Sequence, residues 1–159
     1  QRQMCIRDRN IKIVQTAAVE VPCCIGTFEK RILIPDKKYS REELHYIILH
    51  EYTHLDNKDI LTIQLINILC IVFWWNPFVY ILKGDMYQSI EIRCDQTVTK
   101  KLKSAERGNY LTVILKEYKA SVQEKEFRKP AGAMPLFEDH SDHLIERFRL
   151  VAELSLIHI

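Results

Sequence analysis

The pentapeptide His50-Glu51-Tyr52-Thr53-His54 constrains this chain more than any other stretch. On an α-helix, positions i and i+4 lie one turn apart on the same face, so the two imidazoles can reach a single metal ion. Glu51 lies about 100° further round the helix, near enough to act on an attacking water. Two His ligands and a carboxylate base make the zinc-peptidase arrangement. Chance would place this motif in a chain of this composition only about 2 per cent of the time, so coincidence is a poor explanation. Tyr46-Ile47-Ile48-Leu49 leads into the motif, and no Pro or Gly interrupts it. The competing reading is two partly exposed His on an ordinary amphipathic helix.

A catalytic zinc keeps three protein ligands and leaves one position open. The candidate third ligand is Glu91, in Glu91-Ile92-Arg93-Cys94-Asp95. Glu91 and Asp95 are again i and i+4, so Glu91 can close the metal site while Asp95 bonds a ligand imidazole and fixes its tautomer. Taken alone, two carboxylates four apart are common on solvated helices.

Ser40-Arg41-Glu42-Glu43 is a capping box, which starts the motif helix at about 41 and carries it to about 56. Asp59 either caps the next helix or orients a ligand. Leu61 to Leu82 is strongly apolar and, at 22 residues, reaches the roughly 20 needed for a membrane span. Asn76-Pro77 splits it, because Asn is a good N-cap and Pro a good first helical residue. The stretch therefore reads as a short hydrophobic helix, buried or lying against a bilayer; Trp74 and Trp75 suit either setting. A helix starting at Pro77 and running to about Lys103 folds back antiparallel and returns Glu91 and Asp95 toward His50 and His54.

Upstream, Asn10 to Pro35 is β-rich. Ile11–Gln15, Ala18–Val21 and Arg31–Ile34 predict a small sheet of two to four strands. The segment from Gly26 to Ile34, with Ile32 and Leu33 inside it, is the candidate edge strand for extended substrate; a plain structural hairpin explains it equally well. Downstream, Arg107-Gly108-Asn109 reads as a break. Leu111, Ile114, Leu115 and Tyr118 mark a helix to about Gln123, then a loop over 124–139, then a final helix capped by Ser141 and carrying Leu144, Ile145, Phe148 and Leu150. His140 and His143 read as solvated. The group that stabilises the oxyanion stays unassigned among these His, a Tyr and Arg147. Cys23, Cys24, Cys70 and Cys94 lack CxxC spacing and read as reduced thiols of a cytoplasmic protein, with Cys94 a small core residue rather than a ligand.

The run from Ile47 to Val98 resembles the BlaR/MecR-type antirepressor metallopeptidases. The matching residues are HEYTH at 50–54, Asp59, Phe73-Trp74-Trp75-Asn76-Pro77 and Glu91-x-x-Cys94-Asp95. Gly26 with Ile32-Leu33-Ile34-Pro35, and Leu144-Ile145-Glu146-Arg147-Phe148, extend the likeness over roughly residues 20–150. The resemblance implies an α+β fold: a mainly helical, zincin-like (gluzincin) domain with a small N-terminal β-sheet. It implies Zn2+ held by His50, His54 and Glu91, with Glu51 as general base and Asp95 as an outer partner; Asp59 is a second orienting candidate. The implied module belongs to a bacterial membrane-anchored signal transducer of antibiotic resistance. It would lie at the cytoplasmic face, cutting a repressor protein or its own receptor.

Both ends read as foreign. Met4–Arg9 and Leu154–Ile159 can be encoded by reverse-complementary DNA resembling a transposase adapter, so residues 1–9 and 154–159 are expected to lie outside a natural domain spanning 10–153. The natural protein is then longer, and any membrane anchor belongs to parts outside this stretch. The formal net charge is +2. Setting aside Arg2, Arg7, Arg9 and Asp8 balances the two signs, which gives no electrostatic case for nucleic acid. No Ser has Lys at i+3, so the chain carries no penicillin-binding Ser-x-x-Lys motif. Two alternatives remain: a membrane-associated zinc peptidase of the prenyl-protease or heat-shock type, and a non-catalytic signalling module stapled by zinc. The Phe-Trp-Trp-Asn-Pro run opposes the first, and an intact Glu51 opposes the second.

Overall fold

The computed structural model describes residues 3–6, 11–27, 29–127 and 149, with side chains described over 11–27, 29–120 and at 149. The fold is α+β; among the described residues four strands are followed by four long helices. The strands are β1 (Gln3–Ile6), β2 (Ile11–Thr16), β3 (Cys23–Ile25) and β4 (Arg31–Pro35), in the spatial order β1-β2-β4-β3. β4 is parallel to β2, with Ile13 opposite Ile32, and antiparallel to β3, with Cys24 opposite Ile32. The expected strand over Ala18–Val21 is instead turn and bend, and β3 lies just after it. β1 joins β2 as an antiparallel edge. Main-chain pairing of this kind makes little demand on sequence, so it does not bear on the origin of residues 1–9.

Alternation along β2 and β4 puts Ile11, Ile13, Ile32 and Ile34 on one buried face, where they meet Leu55 of α1 (Arg41–Asp56). The opposite side of α1 carries Tyr46 and Ile47 into a second core with Cys94 and Val98 of α3 (Pro77–Lys101) and Tyr110 and Val113 of α4 (Ser104–Phe127). The HEYTH helix is therefore the middle layer, apolar on two sides, which is why it is rigid enough to hold a site.

Local chemistry sets the helix limits. Ser40 Oγ accepts from Glu43 N at 3.1 Å, and Ser40 N donates to Glu43 Oε2 at 2.8 Å, closing the capping box. Lys58, in the left-handed region at φ 59°, turns the chain sharply into α2 (Asp59–Val72). Asn76 Oδ1 accepts from Phe78 N at 3.0 Å and Pro77 is the first residue of α3, as the Asn-Pro pair predicts. α4 differs from expectation. It begins at Ser104 and continues through Arg107-Gly108-Asn109 to Phe127, so the break lies at Leu102-Lys103 and Glu124–Phe127 is helical. A mid-helix Gly costs about 1 kcal/mol relative to Ala, which a 24-residue helix packed on α1 tolerates. The expected loop beyond Phe127 and the helix from Ser141, with Leu144–Phe148, His140, His143 and Arg147, lie outside the described residues.

Candidate metal centre and active-site cleft

A single turn of α1 places His50, Glu51 and His54 at 7%, 9% and 7% exposure. The two Nε2 atoms face each other at 3.1 Å. α3 returns antiparallel and puts the Glu91 carboxylate beside both: Oε2 is 3.7 Å from His50 Nε2 and Oε1 is 3.7 Å from His54 Nε2. Zinc bonds of about 2.0–2.1 Å at tetrahedral angles separate ligand atoms by roughly 3.3 Å. The three observed separations bracket that value.

The other imidazole nitrogens are engaged. His54 Nδ1 meets Asp59 Oδ2 at 2.8 Å, and Asp59, 1% exposed, also pairs with Arg93 through its second oxygen. A carboxylate only accepts, so the neutral His54 ring keeps its proton on Nδ1 and turns a lone pair out at Nε2. His50 Nδ1 stands 2.8 Å from Tyr110 Oη, whose own proton goes to Asp95 Oδ1 at 2.7 Å. Tyr110 must therefore accept from His50 Nδ1, and His50 likewise turns an Nε2 lone pair inward. Two lone pairs and a carboxylate converging in a buried space make a set that fits a divalent cation.

Electrostatics agree. Burial disfavours a charged His54, yet Asp59 and Cys94 outweigh it and raise its pKa to about 10. At His50 burial also opposes charge, and Tyr110, Cys94 and Asp95 raise the pKa well above the ordinary value. Surroundings that favour positive charge on two buried imidazoles also favour a cation between them. Glu51 is pushed up chiefly by burial, with Glu91 adding to the rise and the two imidazoles working against it. The half-buried Cys24 thiol, raised to about 12 by burial and by Glu51, stays protonated and hydrogen-bonds Glu51.

A cleft of about 480 Å³ opens over this group, with β3 on one side, α3 beyond Glu91, and Ile114, Glu117 and Tyr118 of α4 on the far wall. The segment expected to receive substrate lies elsewhere. β4 is paired on both edges, Ile32 and Ile34 are 0% and 3% exposed, and Leu33 and Gly26 also fall outside the cleft. A strand hydrogen-bonded on both sides cannot add a third. The strand that borders the cleft is β3, whose outer edge is unpaired among the described strands. Gly26 has a local reason instead: at φ +89° it turns β3 into β4, and a Cβ there would stand 2.0 Å from Glu29 O.

Sequence reading missed Tyr110, which carries no motif, and Cys24. It also set Cys94 aside, whereas the Cys94 Sγ and the two imidazoles form an alternative donor trio with atoms within 4.8 Å of one another. Sγ lies 3.5 Å from His50 Nδ1 and 3.5 Å from His50 O. It thus approaches the ring nitrogen already given to Tyr110, and at 0% exposure it offers no solvent-facing position.

The profile of the family described as BlaR1 peptidase M56 matches residues 1–151. The chain is 32% identical over 119 residues to the methicillin resistance mecR1 protein of Staphylococcus aureus, covering 73% of this chain and 20% of that protein. It is 30% identical over 110 residues to the regulatory protein BlaR1 of Bacillus licheniformis (68% and 18%), and 31% identical over 110 residues to BlaR1 of Staphylococcus aureus (67% and 19%). The chain thus spans about a fifth of the length of these relatives. A family of metallopeptidases, a site that fits a cation and a helical α+β scaffold agree, and the chain belongs to the BlaR1 peptidase M56 family.

Proposed function

We propose that this domain is a zinc-dependent endopeptidase in which His50, His54 and Glu91 hold the metal and Glu51 is the general base. The observation that carries this reading is the convergence of two Nε2 lone pairs and the Glu91 carboxylate beside a buried Glu51. Zinc in that position would supply Lewis acidity, lowering the pKa of water and polarising the scissile carbonyl. Glu51 takes the proton of the attacking water and passes it to the leaving amine. Burial of Glu51 raises its proton affinity toward the range a base needs near neutral pH. Asp59 and the Tyr110–Asp95 pair hold the two imidazoles in one tautomer and orientation. β3, rather than β4, offers its open edge to an extended peptide.

The module works within a membrane-anchored signal transducer at the cytoplasmic face of the bacterial membrane, on a repressor protein or on its own receptor. No helix among the described residues is long and apolar enough to cross a membrane. The hairpin of α2 and α3 nonetheless exposes Ile71 (73%), Trp74 (70%) and Phe78 (74%) in a stretch without a charge from Ile60 to Leu82. Tryptophan suits the water–lipid interface, and this tip would rest in it.

The test is zinc stoichiometry and peptide cleavage in the parent, Glu51→Gln, Glu91→Ala and Cys94→Ser. One zinc should be found in the parent, in Glu51→Gln and in Cys94→Ser, with much weaker binding in Glu91→Ala. Glu51→Gln should lose cleavage by about 10²–10⁴-fold. Zinc retained without Glu91 but lost without Cys94 would transfer the site to the Cys94 trio. Cleavage unaffected by Glu51→Gln would remove the catalytic role.

A further inference from the structure

We infer that Tyr110 is a positioning residue, the hydroxyl through which Asp95 acts on His50 and through which α4 is tied to the metal centre. The inference rests on His50 as a metal ligand and goes beyond it, since a direct Asp95–His50 contact is what the sequence pattern suggests. That direct approach is 3.5 Å, whereas the two steps through Tyr110 Oη are 2.8 and 2.7 Å. A phenol has one proton. Asp95 can only accept it, so the phenol oxygen must in turn accept from His50 Nδ1. The direction of both bonds is thereby fixed, and with it the Nε2 lone pair of His50. Tyr110 is 0% and Asp95 2% exposed, so water cannot take over either role.

The same helix forms the cleft wall. Ile114, Glu117 and Tyr118 stand four, seven and eight residues beyond Tyr110, on one face of α4, and all three line the cleft. α4 is held to the start of α1 by Asn109–Glu42 at 3.0 Å and Lys116–Glu43 at 2.6 Å, and to Tyr39 by Glu117 at 3.3 Å. The wall that meets substrate and the hydroxyl that orients His50 are therefore parts of one rigid element. A shift of α4 that lengthens the Tyr110–His50 bond releases the His50 tautomer and loosens the metal.

The experiment uses the full chain and compares Tyr110→Phe, Asp95→Ala, the double variant and Val113→Ala, a core neighbour of Tyr110 with no hydroxyl. Three quantities are read: zinc affinity by chelator competition, the visible spectrum of the cobalt-substituted protein, and the His50 tautomer by ¹⁵N NMR without metal, at a pH high enough to leave the ring neutral. Tyr110→Phe should weaken zinc binding by about 10–100-fold, shift the cobalt bands and mix the His50 tautomers. The double variant should be no weaker than the worse single variant, because both cut one relay. Val113→Ala should change stability alone. Zinc affinity within about twofold of the parent in Tyr110→Phe, or an unchanged His50 tautomer, overturns the inference. So do additive losses in the double variant. If Tyr110→Phe does not fold, Asp95→Ala, which removes the acceptor of the phenol proton, carries the same three readouts, and an unchanged tautomer there is equally fatal. If the parent binds no zinc, the peptidase reading falls on its own, and the tautomer measurement still decides the relay.

Discussion

The two ends of α3 are built on opposite rules. Around Cys94, Asp95 and Val98 the helix is sealed between α1 and α4, at 0%, 2% and 0% exposure, and its buried polar groups are bonded. Near Phe78, Ile81 and Leu82 the same helix turns large apolar side chains outward, at 74%, 48% and 46%. Buried polar groups are tolerated only when every partner is in place, so the first end specifies geometry. Exposed apolar surface on this scale marks a place where something other than water is meant to be met. Buried, fully bonded polar groups thus occupy one end of a helix and exposed apolar surface the other.

A matched pair of substitutions gives the sharpest test of that contrast. Ile47→Ala, in the core between α1, α3 and α4 at 2% exposure, should destabilise by about 2–5 kcal/mol. Ile71→Ala, chemically the same change at 73% exposure, should cost under about 0.5 kcal/mol. Urea unfolding of the two proteins reads both. Equal losses would mean that the hairpin tip is covered in the folded protein, and the comparison would fail.

Next in size is Asp59→Ala at the polar end. It removes the partner of His54 Nδ1 and of Arg93 together. Two charge-assisted hydrogen bonds are lost, which should cost roughly 2–3 kcal/mol. Zinc affinity should fall by about 10–100-fold. Calorimetric melting and zinc titration separate the two effects. A melting change without an affinity change would make Asp59 a structural partner of Arg93 alone.

At the apolar end, Trp74→Ser combined with Trp75→Ser should leave unfolding nearly unchanged and weaken binding to phosphatidylethanolamine–phosphatidylglycerol vesicles by at least about tenfold, or some 1.4 kcal/mol. Because residues 60–82 carry no charge, the binding should be insensitive to salt. Strong salt dependence, or no vesicle binding by the parent, would point to a protein partner for the tip.

How much of this was readable beforehand follows from the range of the forces involved. α1 and the start of α3 were legible to the residue, because Ser40–Glu43 and Asn76-Pro77 act within one turn of chain. His50, His54 and Glu91 come together in space as their spacing anticipates, since the fold-back at Asn76 is itself a local signal. Strand pairing was not legible. Whether β4 is an edge or a centre depends on β2 arriving parallel from 19 residues earlier, opposite Lys12 and Arg31, and no local pattern encodes that partner. Tyr110 was missed for the same reason: a lone Tyr on a new helix acquires its role only from a contact 60 residues distant in sequence. Gly108 misled because a helix interior accepts the cost of one Gly when both its flanks pack.

The smallest effect tests whether the clamp between α1 and α4 belongs to the rigid end. Glu43 is held down at about 2, first by Lys116 and then by the Ser40 N–H. Its ordinary value is about 4.3, so between roughly pH 4.3 and 2 the unfolded chain binds a proton that the folded one refuses. The stabilising contribution of Glu43 is therefore complete above that window and disappears as pH falls through it. Lys116 is 64% exposed, so the pair is screened and its share is slight. The bond from the Ser40 N–H is the larger part; the reciprocal bond, Ser40 Oγ accepting from Glu43 N, is removed separately by Ser40→Ala, which should cost about 1 kcal/mol. Comparing parent and Glu43→Gln in urea at pH 6, 4 and 3 should show a gap that narrows steadily on acidification and shrinks only in part with added salt. A gap constant with pH would mean that Glu43 gains nothing from its charge, leaving α4 joined to α1 by packing, by the Asn109–Glu42 bond and by the Tyr110 relay.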